Sequence, residues 1–154
     1  MSSVNAIPVA YTPTGGWKAF PDPILEGCSD ALSENAPDLR GMWKVNTVSV
    51  KGTYDSDHEM VGSLQRIEQA ADRMVITSEG VIHDMRCDGT VEHGVHDVSI
   101  DFTTEITVVA TYENGVHVLR PVGVPIEVRR HLEGDELVWE YGPFFTARLE
   151  RTSP

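Results

Sequence analysis

The sequence is short of cysteine, of basic residues and of long apolar runs, and each shortage excludes something. Cys28 and Cys87 are the only cysteines in 154 residues, too few for a disulfide framework and wrongly spaced for a zinc site. Twelve Lys and Arg against 24 Asp and Glu leave a net charge of −12, which repels nucleic acid and anionic membrane alike. No stretch approaches the ~20 apolar residues of a membrane-spanning helix. The N-terminal residues lack the basic and apolar regions of a signal peptide, so none is expected. The expected partners therefore include no nucleic acid and no membrane, and the expected compartment is reduced and cytoplasmic. No motif calls for a metal or other cofactor, and a homodimer is left open.

What is present reads as one β-rich domain with an irregular extension. Residues 1–38 carry Pro8, Pro13, Pro21, Pro23 and Pro37 with Gly15, Gly16 and Gly27, a density of breakers that forbids a long helix or a central strand. Tyr11, Trp17, Phe20, Ile24 and Leu25 make the same segment too apolar for a free tail. The extension is expected to lie against the folded body of residues 39–154, with one helical turn near Pro23–Cys28 and with Trp17 and Phe20 over one mouth of it. From Gly41 onward apolar residues recur with period two, as in half-buried strands. "VSIDF" places Val98, Ile100 and Phe102 on one face, and "ELVWEY" does the same with Leu137, Trp139 and Tyr141. Glu79-Gly80, Asp88-Gly89, Asn114-Gly115 and Gly134-Asp135 separate the runs; Asn-Gly and Asp-Gly favour tight hairpins because both central residues need positive φ. Ten runs result, the first at 41–51 and the last at 144–151. A meander of that many short strands is expected to close, since closure alone removes the edges. The expected fold is all-β: a closed antiparallel up-and-down barrel of about 8–10 strands.

Three short stretches resemble the calycin superfamily, the lipocalins and fatty-acid-binding proteins. Gly41-Met42-Trp43, in "PDLRGMWKV", resembles the first-strand glycine-x-tryptophan motif. "HLEGDELVWEY" and "FTARLER" are similar to the last two hairpin strands of fatty-acid-binding proteins. The resemblance implies an internal cavity, and it implies that Arg148 or Arg151 packs near Trp43. Two departures stand out. "TYDSDHEMVGS" is too short for the two lid helices of fatty-acid-binding proteins, and the long extension is foreign to the pattern.

Candidate chemistry concentrates in "VIHDMRCDGTVEHGVHD". With Asp88-Gly89 as a two-residue turn, His83 and His96 become diagonal neighbours on one face, about 7–8 Å apart. A bulge near Gly94 would undo that register. His93 and His96 fall on opposite faces of a regular strand, so no metal site is expected. The cavity candidates are His83, Met85, His96, Tyr112, Trp139 and Tyr141; Cys87 reads as a small core residue. Arg66, Arg120 and Arg130 share parity with apolar neighbours. Any of them that is interior requires an acid partner, with Glu68 the first candidate, or an anionic ligand. Two functional readings stay open beside an interaction module that would use the extension as its arm. One is a barrel binding a small apolar or aromatic molecule with a polar end. The other is a cofactor-free isomerase, cyclase or lyase with His83 as general acid or base.

Overall fold

The computed structural model describes residues 3–99 and 105–152. After a 3-10 turn at Val4–Ala6 come eleven strands: β1 Gly41–Val50, β2 Thr53–Tyr54, β3 Leu64–Ala70, β4 Arg73–Ser78, β5 Val81–Arg86, β6 Val95–Ser99, β7 Glu105–Glu113, β8 Val116–Pro121, β9 Val128–Glu133, β10 Glu136–Tyr141 and β11 Phe145–Arg151. They form one antiparallel sheet in the order β5-β4-β3-β1-β11-β10-β9-β8-β7-β6, with the two-residue β2 attached to β1. The barrel is therefore nearly closed rather than closed: β5 and β6 end the sheet and share no ladder. Ile100, Asp101 and Phe102 lie outside the described residues.

Turn chemistry explains most of the meander. Glu79-Gly80 and Asn114-Gly115 take positive φ at both positions (28° and 81°; 50° and 81°), which matches the twist of the strands they join. Asp88-Gly89 does not make the expected hairpin. Asp88 bridges Thr111 instead, and the Gly89 amide donates to the Ala110 carbonyl at 2.9 Å. The chain then passes so close to β7 at Gly94 that a Cβ there would collide with the Val108 carbonyl oxygen. Just beyond, the β6–β7 register shifts between Val95 and Val98. This bulge re-aims the following side chains, as bulges do.

One end of the barrel is filled. Leu39, Trp43, Ile67, Met74, Leu137, Ala147 and Leu149 pack there without solvent exposure or nearly so. Trp43 donates from Nε1 to the Leu39 carbonyl at 2.8 Å, and the Arg151 guanidinium lies 4.6 Å from its ring centroid. Gly41, at φ +140°, leaves room for this arrangement: a Cβ there would come within 3.4 Å of Arg151 Nε. Arg148 is not the closing arginine. It points outward to Glu133 and Glu136 at 3.1 and 3.2 Å.

The extension does not cover a mouth. It lies on the outer face of β3, β4 and β5, where Val4 and Leu25, with Ile7, Trp17 and Ile24, pack on Ala70, Val75 and Ile82. The physical reason lies in β4, whose residues from Arg73 to Thr77 are all buried. A strand apolar on both faces needs a second cover. Charged side chains fasten that cover. Glu68 accepts from the amides of Ile24 and Leu25 at 3.0 and 2.7 Å, and Arg66 donates to the carbonyls of Pro21 and Asp22 while lying over Phe20. Arg66 and Glu68 thus serve the outer face, not an interior pair. Near Pro23–Cys28 the chain makes a turn closed by Cys28 N–H to the Leu25 carbonyl, not a helix.

Candidate functional site

Opposite the Trp43 end the barrel is hollow. A cavity of about 440 Å³ lies beneath the turns after β4, β8 and β10. Its walls are largely aliphatic: Ile76, Val81, Met85, Val95, Val98, Ile106, Val108, Leu119, Val124, Ile126 and Val128. Trp139, Tyr141 and Phe144 make one side aromatic, and Phe145 braces it, stacked on Tyr141 and edge-on to Trp139. A pocket of this size, apolar with a few polar groups, has the usual character of a small-molecule site. The polar groups facing it are Thr12, Ser78, His83, Asp97 and Arg130 with the Tyr141 ring.

Arg130 is the outstanding member. Strand parity sends it inward from the middle of β9, with His117 of β8 on one side and Trp139 of β10 on the other. Its guanidinium lies 4.7 Å from the Trp139 ring centroid, yet among the described residues it meets no carboxylate and its Nε is buried without a partner. Burial lowers its pKa to about 10, so it remains cationic at neutral pH. His117 is fully buried with both ring nitrogens unpartnered, and Trp139 Nε1 is likewise unpartnered. Burial, assisted by the Arg130 charge, pushes His117 down to about 3 and keeps it neutral. This is an accumulation of buried polarity that the protein itself does not satisfy. Buried polar groups normally find partners, and orphans ask for a reason.

His83 faces the cavity from β5. Burial lowers its pKa, and Arg130 adds to the effect, while the Asp97 charge opposes it. The bulge after Gly94 is what allows Asp97 to reach the cavity.

Of the candidates read from the sequence, His83, Met85, Trp139 and Tyr141 line this space together. His96 does not. The shifted register turns it outward, where it meets Thr107 Oγ1 and the Glu92 carbonyl, each at 3.2 Å. Tyr112 belongs to the filled end: its hydroxyl accepts from Gln69 Nε2 at 3.0 Å, and its ring packs against His117. Cys87 is buried, and its thiol is pushed up to about 12, the state of an inert core residue. Arg120 lies outside, between Glu113 and Glu127. His117 and Asp97 were missed. Alternation with Leu119 and Pro121 carried a signal for His117; nothing local carried one for Asp97.

The nearly closed antiparallel barrel around an internal cavity is a calycin-type fold. A solved structure of human cRBP IV, a cellular retinol-binding protein, superposes with a TM-score of 0.57 at 16% identity, covering 75% of this chain and 98% of that one. No protein-family model matches the sequence, and no curated protein matches it. The likeness is one of fold. Among the described residues no helix is long and apolar enough to cross a membrane, and no cluster of metal-ligating side chains occurs.

Proposed function

We propose that the barrel binds a small organic anion, with an apolar or aromatic body in the cavity and a carboxylate or similar group against Arg130. Arg130 is the observation that supports this reading. A buried guanidinium without a carboxylate costs several kcal/mol to maintain, and an anionic ligand would recover that cost on binding. The aromatic wall of Trp139 and Tyr141 suits a ring, and the cavity volume suits a compact molecule over a long acyl chain. The name of cRBP IV agrees with an apolar ligand in this fold; the charge of Arg130 argues here for an acid rather than an alcohol.

The test is a matched pair: anthracene-9-carboxylate and 9-anthracenemethanol, titrated by tryptophan quenching. The carboxylate should bind at least about ten-fold more tightly, the equivalent of a charge-assisted hydrogen bond, and Arg130→Met should erase the difference. Equal affinities in the intact protein would sink the reading.

A second reading has one observation in its favour: His83, kept neutral by burial, faces the same cavity as Asp97. A cofactor-free isomerase, cyclase or lyase would use it as general base. His83→Ala should then abolish turnover of a bound acid by about 10²-fold or more, whereas a binding contact alone shifts affinity by roughly ten-fold.

A further inference from the structure

The β5–β6 seam is hollow on both sides. Inside it lies the 440 Å³ cavity; outside runs a groove of about 380 Å³ between the extension at Ile7–Tyr11 and the segment Glu92–Asp97. Met85, Val95 and Asp97 border both spaces, so three side chains separate them. Among the described residues the rest of the barrel wall is a ladder of paired strands. At the seam the described residues show one backbone bond, Arg86 N–H to the His93 carbonyl at 2.9 Å, at its far end. Parting two laddered strands breaks a run of backbone hydrogen bonds together. Moving Met85 asks only for rotation of an unbranched, adaptable side chain.

The roof of the groove is held in place. Arg73 takes the carbonyls of Val4, Ile7 and Pro8, and the Thr12 hydroxyl both donates to the Ile82 carbonyl and accepts from the Ile82 amide. Those last two bonds occupy the free edge of β5. The extension therefore replaces a missing strand partner without laddering to β6, and it leaves an open channel beneath itself.

We infer that the groove is the way into the cavity, and that the ligand reaches Arg130 through the β5–β6 seam, past Met85, rather than between the turns of the mouth. The inference rests on the small-molecule reading above. Two exposed positions separate the routes: Tyr11, 69% exposed, lines the groove, and Val122, 52% exposed, sits on the turn after β8 at the mouth without lining the cavity. In a Cys28→Ser background, Tyr11→Cys and Val122→Cys would each be compared before and after coupling to a polyethylene-glycol maleimide. Stopped-flow fluorescence with 8-anilinonaphthalene-1-sulfonate, an anionic aromatic probe, supplies the rates. The label at position 11 should slow association and dissociation together by about ten-fold, with affinity held within about two-fold, because a blocked path changes rates and not equilibrium. The label at position 122 should leave both rates unaltered. The opposite pattern, or no slowing from either label, overturns the seam route while leaving the binding reading intact. Absence of any saturable probe site overturns both.

Discussion

Two buried arginines on well-separated strands of the barrel wall meet opposite fates. Arg73 of β4 points outward under the extension and is 2% exposed; Arg130 of β9 points inward and is 5% exposed. Arg73 spends all five N–H groups. Its Nε and Nη2 bond the Asp84 carboxylate at 2.9 and 2.6 Å, and the remaining three donors reach the carbonyls of Val4, Ile7 and Pro8. Asp84 in turn accepts from the Ala10 amide at 2.9 Å. Among the described residues Arg130 has a tryptophan ring and no carboxylate. The pKa directions agree with this contrast: Asp84 holds Arg73 up, while burial alone drives Arg130 down to about 10. A satisfied buried charge is a fastening. On the proposed reading, an unsatisfied one beside a cavity receives the ligand.

The comparison breaks most visibly at Arg73. Arg73→Met strands the Asp84 carboxylate under the extension, and removing one partner of a buried pair costs about 3–5 kcal/mol. Urea unfolding would read the loss directly. Arg73→Met with Asp84→Leu should regain a large part of it, since apolar replacement of a whole pair is often tolerated. A single variant as stable as the parent would mean that the pair is not buried in solution.

Arg130 should behave in the reverse sense. Arg130→Met removes a charge that has no carboxylate to lose, so the unliganded protein should gain about 1–4 kcal/mol even as it loses the preference for a carboxylate probe. Denaturant midpoints of the two single variants, moving in opposite directions, would sharpen the contrast. Movement in the same direction would show that Arg130 has a structural partner after all.

The smallest effect is a pH dependence rooted beside Arg130, at His117 of β8. His117 titrates near 3 when folded against an ordinary 6.5. Between those values the unfolded chain binds a proton that the folded chain does not. Stability is therefore complete above about pH 6.5 and falls as the pH drops below it, by up to about 1.4 kcal/mol per pH unit. His83 acts in the same direction, while His93, raised by Asp88 at the surface, acts in the other. Carboxylates such as Glu113, drawn to about 2 by Arg120, contribute only below their ordinary value of 4.5. Loss between pH 6.5 and 4.5 is thus the histidine part, and His117→Phe, which removes two unpartnered nitrogens, should flatten it. An unchanged slope in that variant would place the titrating group elsewhere.

Much of this was legible in the residue order. Period-two runs with Asn114-Gly115 and Glu79-Gly80 between them specify antiparallel strands, because side-chain alternation and positive-φ turns are local properties. Parity also put His83, Met85, Trp139 and Tyr141 on inward faces and offered Arg66, Arg120 and Arg130 alike as interior candidates, of which Arg130 faces the cavity and the other two lie outside. The density of proline and aromatics argued for a packed rather than a free extension. Three things were decided only by the tertiary structure. The close approach of Gly94 to Val108 sets the β6 bulge, which turns His96 out and admits Asp97; Gly94 marked where a bulge could fall, but the contact across the β6–β7 pair decides that it does. The two-sided burial of β4 draws the extension onto the outer face of the barrel, although Trp17 and Phe20 would have suited a mouth equally well by composition. Arg73 and Arg130, finally, are the same residue type in similar strand sequence. Whether a carboxylate stands opposite depends on which strands the sheet order makes neighbours, and that is a property of the whole fold.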